Sequence, residues 1–495
     1  MNPLMTTARN VALKYGVKNT KEDKELFKQC WKWRVDSADK VAKREGKQME
    51  AEVSRQFDTF AATVKGVAPS QELGHRYVLR QPLAGRNYVI FSDHHWAHDG
   101  NRQKFFNETG NRELYIEILG RYFDAGYTLI ENGDVEEMII FDPSVEEITA
   151  RAGMNDVQLK AHRELKRARL FDEIVNHPKN KALYAAVRKF HDAGRYIKIA
   201  GNHDYNLQEG AAYDNLKKVF PNIPKPYDYV LLESGGKVAY AVLHGHQFDT
   251  STTPVYAARV GETISESMSW AYQGADRIWN WKDDVVEWVR DGRAFHNVLV
   301  NDDHITQGRW RLWDILGGLI HNLHTKEGWE NVFQHRVAWE YFTNSTDPQK
   351  AVDLEVKKGK EWFKYRHLDE LRIKGMIEAA FVDEAMRPRI VLGHSHEVRL
   401  APVFAQFDPS NPNLPVLKNF PWYYNTGAAG RFENLIWGLE IGDGVTGPKL
   451  VGFSRPKPRE GHAERREFSP MAGTDPLLLA TLYAGPVSPI PRHGH

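Results

Sequence analysis

The sequence predicts an α/β protein, and three observations predict it. Apolar runs of strand length recur in the stretches Asn87–His95, Arg195–Asp204 and Lys237–His246, with the composition and bounded length that favour extended chain. Between them, 112–125, 157–175 and 180–193 carry apolar residues at helical spacing, the last stopping at Ala193-Gly194, a helix-stop signal. Strand, helix, strand repetition over 87–246 implies layers of helix against sheet. The third observation is chemical: the apolar runs end in Asp, Asn and His, hard or imidazole ligands gathered at strand ends.

The chain has 495 residues, more than a usual single domain, so two lobes or one elaborated domain is expected. Its net charge of +1 excludes bulk attraction to nucleic acid or an acidic membrane, while leaving room for a local basic groove. Cys30 is the only cysteine, which excludes an intrachain disulfide and a thiolate metal site and favours a reducing compartment. The start lacks the apolar core of a signal peptide, and no apolar run reaches the roughly eighteen residues of a membrane span. The expectation is a soluble, cytoplasmic protein.

Taken in order, 1–84 reads as an N-terminal helical extension. Phe27, Trp31, Val35 and Ala38, then Val53, Phe57, Phe60 and Val64, mark two amphipathic helices within 21–65. Val67–Ser70 and Gln81–Gly85 read as a linker. Residues 85–254 form the first part of a core, with a helical flap expected over 142–168. Within it Tyr227–Leu232 and Lys237–Leu243, joined through Ser234-Gly235-Gly236, read as a β-hairpin that delivers His244. Residues 255–384 hold nine of the fourteen tryptophans at helical spacing and read as a helical cap insertion, its aromatics divided between packing and a pocket lining. The core resumes over 385–456 with strands near 420–426, 434–441 and 449–453. The tail, 457–495, reads as largely irregular with one apolar docking segment at 476–483. No internal repeat is visible.

Five strand ends carry the chemistry: Asp93-His-His95, Gly133-Asp134, Gly201-Asn-His-Asp204, His244-Gly-His246 and Gly393-His-Ser-His396. Together and in this order they resemble the calcineurin-like metallophosphoesterase superfamily, over 93–396. The resemblance implies a four-layer α-β-β-α sandwich of two mixed sheets and a dinuclear metal site. Asp93, His95 and His396 would hold the first ion, Asn202, His244 and His394 the second, with Asp134 bridging. A lone carboxylate at the end of a buried strand suits the bridging role, since burial would otherwise be costly. His203 would act as general acid on the leaving oxygen, and Asp204 would orient its ring. Glu137 reads equally well as a carboxylate behind the ligands or as a solvated or capping group. His94 and His246 are assigned no ligation and read as pocket-wall or supporting histidines.

The implied reaction is hydrolysis of a phosphate ester, diester or monoester, by a hydroxide shared between two divalent ions about 3.5 to 4 Å apart. Oxygen and nitrogen donors without sulfur favour manganese, iron or zinc, with manganese the first choice. Gly133-Asp-Val-Glu-Glu137 and His244-Gly-His-Gln-Phe-Asp249 are similar to the branch containing UDP-2,3-diacylglucosamine pyrophosphatase. That enzyme is a much shorter chain and typically has Arg where His203 stands, so the superfamily is carried over and the substrate is not. An aromatic cap favours a small or lipid-like phosphate ester. Two alternatives stand beside it: a nuclease stacking single-stranded bases on aromatic faces, and a metallophosphoesterase fold used as a binding scaffold.

Overall fold

The computed structural model describes residues 40–67, 77–97, 108–139, 156–250, 252–257, 370–395, 398–400, 403–408, 411–419, 422–429, 435–442, 447–454 and 464–468. The helix expected within 21–39, the flap over 142–155, the docking segment at 476–483 and nearly all of the tryptophan-rich stretch lie outside the described residues, as does His396.

Two six-stranded sheets organise the described residues. In the first, β2 (Tyr88–Phe91), β3 (Thr128–Asn132) and β4 (Tyr196–Ile199) run parallel. This trio is extended on the β2 side by β12 (Leu435–Ile441), β13 (Lys449–Ser454) and β14 (Glu464–Phe468), each antiparallel to its neighbour. In the second sheet β1 (Val78–Pro82) pairs parallel with β5 (Tyr229–Ser234), which forms an antiparallel hairpin with β6 (Lys237–Val242). Next come β7 (Arg389–Leu392), parallel to β6, then β11 (Tyr423–Thr426), parallel to β7, and β8 (Val398–Leu400), antiparallel at the edge. A separate antiparallel pair is made by β9 (Val403–Asp408) and β10 (Asn411–Asn419).

The apolar strands are buried on both sides, which explains why they read as continuous hydrophobic runs instead of alternating ones. From β2, Tyr88 and Ile90 join Ile130, Ile199, Val230, Val242, Val391 and Trp437 in one core drawn from both sheets. Val89 and Phe91, one residue out of phase, face the opposite way. They pack with residues of α2 (Glu108–Asp124), α3 (Asp156–Asn176), α4 (Lys181–Asp192) and α5 (Gly210–Val219). On the second sheet, Tyr229, Leu231, Ala241, Ile390 and Leu392 pack against α1 (Lys40–Lys65) and α6 (Glu370–Ala380).

Helix α1 matches its sequence pattern: Val53, Phe57, Phe60 and Val64 are all buried, a stripe of the width one helix face offers. Its Phe57 and Phe60 meet Phe248 and Tyr229 edge-on or tilted, with centroids 5.6–5.7 Å apart, the geometry aromatic pairs favour. The hairpin turn is also as read, with Gly235 (φ 58°) and Gly236 (φ 75°) supplying the two left-handed residues of a tight turn.

Elsewhere the structure departs from the sequence pattern. Val78–Pro82, whose last residues read as linker, is an edge strand, where its proline is tolerated. Glu464–Phe468 in the tail is likewise an edge strand. Helix α6, inside the range read as insertion, places Ile373 and Ile377 on the sheet beside α1. No described helix is long and apolar enough to cross a membrane.

Candidate metal centre

The carboxyl ends of β2, β3, β4, β6 and β7 meet at one edge of the two sheets. The turns are laced together before any ligand is counted. Asp93 N donates to the Gly133 carbonyl (3.1 Å) and His95 N to the Asp134 carbonyl (3.0 Å). Across the sheets, Asn132 Nδ2 donates to the Leu243 carbonyl (3.1 Å), and Gly393 N donates to the His244 carbonyl (2.8 Å). Asn425 at the end of β11 donates to the Gly393 carbonyl (2.7 Å), which fixes the turn that carries His394.

Within this frame Asp134 is central and buried (1% exposed). Its Oδ1 accepts from His203 N (2.8 Å). Its Oδ2 stands 3.2 Å from His244 Nε2, 3.9 Å from His95 Nε2 and 4.0 Å from His203 Nε2. Asp93 Oδ1 lies 4.0 Å from both His95 Nε2 and His244 Nε2. Two donors each about 2.1 Å from one cation stand roughly 3 to 4 Å apart, so these spacings are those of a ligand cage. Asp93, His95 and Asp134 form one group that could hold an ion, and Asp134, His244 and His394 form another.

Two buried atoms bear on whether a cation fits. Among the described residues Asn202 Oδ1 is buried without a hydrogen-bond partner, a costly condition for a polar atom, and His244 Nε2 faces the Asp134 carboxylate, at 3.2 Å. His244 Nδ1 is 2.8 Å from the Asn132 carbonyl and donates to it. A neutral ring therefore presents a lone pair at Nε2 towards the Asp134 carboxylate, and only a proton or a cation makes that arrangement favourable. Burial pushes the His244 ring down, but Asp134 and Asp93 carry it up to about 10. Burial likewise opposes ionisation of Asp134, while His244, His203 and His95 hold it well below the ordinary carboxylate range. The donor set fits a divalent cation.

The backbone at the site is unusual. Among the described residues, non-glycine φ angles in the left-handed region occur at Asp93 (55°), His95 (51°), Asp134 (51°), His394 (65°) and Asn222 (63°). Four of these five are candidate ligands, and each position costs of order 1–3 kcal/mol. The turns are held in these conformations by the lacing described above. Space is equally tight: a Cβ on Gly201 would overlap both Oδ1 and the backbone nitrogen of Asp134, and one on Gly133 would stand 2.5 Å from His244 Nδ1.

Glu137 is the residue whose role the sequence left open. Its carboxylate accepts from His95 Nδ1 (2.8 Å) and from His203 Nδ1 (2.8 and 2.9 Å), leaving both Nε2 atoms turned to Asp134. Burial would raise the Glu137 carboxyl, but His203 and His95 bring it down to about 2. Burial lowers His203, and Glu137 and Asp134 outweigh it, raising the ring to about 9. The expectation that Asp204 orients the His203 ring is therefore corrected. Asp204 instead accepts from Gly201 N (2.6 Å) and Val135 N (3.0 Å), tying two ligand turns together. Of the two readings left open for Glu137, the structure supports the carboxylate behind the ligands: three residues past Asp134, it returns to the His95 and His203 rings, whereas the Asp204 carboxylate is turned to the main chain.

His94 is no ligand in this geometry. It lies 5.2 Å from Trp96, stacked, and 4.2 Å from Tyr115, and burial lowers its ring to about 3. His246 packs beside His244, centroids 5.5 Å apart. The site thus brings together Asp93, His95, Asp134, His203, His244 and His394, with Asn202 between two residues that touch Asp134. Protein-family models, curated proteins and solved structures were each compared with the chain, and none matches.

Proposed function

We propose that this chain is a dinuclear metal-dependent phosphoesterase of the calcineurin-like metallophosphoesterase type, with that superfamily's four-layer α-β-β-α core. The observation that carries the reading is the convergence of five strand ends on Asp134, with His244 Nε2 3.2 Å from its carboxylate and Asn202 Oδ1 buried without a hydrogen-bond partner among the described residues. Asp93, His95 and Asp134 would hold one cation; Asp134, Asn202, His244 and His394 would hold the other. Manganese is the first choice, and oxygen and nitrogen donors also suit iron or zinc. When bound, such a pair lowers the pKa of a shared water and offsets charge on the phosphoryl oxygens.

The chain's own residues supply the rest. Glu137 keeps the His203 proton on Nδ1 in place, so a protonated ring carries its second proton at Nε2 on the Asp134 side. The Glu137 carboxylate against Nδ1 favours the protonated ring, and its Nε2 proton can pass to the leaving oxygen. Asp204 keeps the turn bearing Asn202 and His203 in register with the turn bearing Asp134. The substrate class we favour is a small or amphipathic phosphate ester.

The test is hydrolysis of bis-p-nitrophenyl phosphate and p-nitrophenyl phosphate by manganese-loaded protein, with Asp134→Asn as the blank. Metal-dependent turnover that falls at least about a thousandfold in a folded Asp134→Asn protein is expected, a barrier change of roughly 4 kcal/mol. Turnover of the variant within about tenfold of wild type would contradict the bridging role.

A further inference from the structure

The segment from His244 to Asp249 contributes more than one ligand. After β6 the chain turns at Gly245 (φ 112°) and passes through a short 3-10 turn, His246–Phe248. This returns Asp249 to the turn that follows β7. There Asp249 Oδ2 accepts from His394 Nε2 (3.1 Å). Thr252 Oγ1 lies 3.3 Å from the same nitrogen while donating to the His246 carbonyl (3.1 Å), so its oxygen is an acceptor for the same N–H. Asp249 and Thr252 are 5% and 7% exposed.

We propose that Asp249 is the positioning residue for the second cation, through His394. This rests on the dinuclear reading above. His95 and His244 each place Nδ1–H on an oxygen, of Glu137 and Asn132 respectively, and turn Nε2 to the cage. His394 is reversed: Asp249 and Thr252 hold its Nε2–H, so the lone pair is on Nδ1. With Nε2–H so held, His394 would join Asp134 and His244 as a donor through Nδ1. A carboxylate behind a ligand imidazole also makes the ring a stronger donor. The backbone carbonyl of Asp249 already accepts from Thr252 N (3.2 Å) and Thr253 N (3.0 Å). Main-chain bonds thus close this turn alongside the carboxylate's bond to His394.

Manganese titration of the full-length chain, followed by electron paramagnetic resonance, separates a lone ion from an exchange-coupled pair. In Asp249→Ala the first ion is expected to bind as in wild type, and the coupled signal to require about 10- to 100-fold more manganese. Asp249→Asn, which keeps an acceptor and the side-chain volume, is expected to lie between. Equal affinity for both ions in either variant, or equal weakening of both, would overturn the assignment while leaving the dinuclear reading intact. A wild-type protein that never gives the coupled signal would overturn both.

Discussion

At the scale of single residues, the site depends on conformations that side-chain chemistry alone would disfavour. Asp134 sits at φ 51° with Gly201 pressed against it. A methyl group at Gly201 has nowhere to go but into the Asp134 backbone, so Gly201→Ala should cost about 1–3 kcal/mol in denaturant unfolding and lower metal content. Unchanged metal content in that variant would show that the turn has slack. His203→Ala separates acid catalysis from binding. The loss should be large for a poor leaving group such as a methyl ester and small for nitrophenolate, which needs no proton. Equal losses on both would remove the acid role. The place of Gly-Asn-His-Asp at a buried sheet end was legible, because an apolar strand runs straight into those four residues. The pairing of His203 with Glu137 was not, because the direction of a carboxylate in a turn is set by backbone dihedrals.

At the scale of elements, β4 carries a second device beneath the ligands. Lys198, 2% exposed, donates to Glu136 Oε2 (2.8 Å) and stands 3.7 Å from Asp204 Oδ2. Tyr184 donates to Glu136 (3.1 Å), and Tyr196 and Tyr115 donate to the neighbouring Glu131 (2.5 and 3.3 Å). One ammonium thus serves the turn after β3 and the turn after β4. Lys198→Met leaves those carboxylates buried without it and should cost about 3–5 kcal/mol in unfolding free energy. The double variant with Glu136→Gln should recover part of that loss, and a single variant as stable as wild type would show that the pair is not needed. On the other sheet, Phe60→Ala should cost about 3–5 kcal/mol, because α1 covers the hairpin that delivers His244. A loss below about 1 kcal/mol would mean that the helix is not part of this core. The amphipathic stripe made α1 readable; β1 and β14 escaped notice because edge strands carry the polar and charged residues that elsewhere signal loops.

At the scale of the whole molecule, the proposed metal centre would be linked to folding. His244, raised by Asp134 and Asp93 to about 10, lends the metal-free protein stability that is complete below about 6.5, its ordinary pKa. That stability is lost as the pH rises through about 10. A cation competes with this proton, so apparent manganese affinity should rise about tenfold per pH unit between about pH 7 and 9, read by titration at fixed ionic strength. A pH-independent affinity would exclude His244 as a ligand. Binding only the folded state, manganese at about a hundred times its dissociation constant should add about 2.7 kcal/mol per independent site. The most direct measurement is the number of manganese ions retained per chain at neutral pH after loading and removal of free metal. Two per wild-type chain, with at least one lost in Asp134→Asn, is the result expected of a dinuclear centre bridged by Asp134. A wild-type chain that retains none, or an Asp134→Asn chain that still retains two, would contradict it.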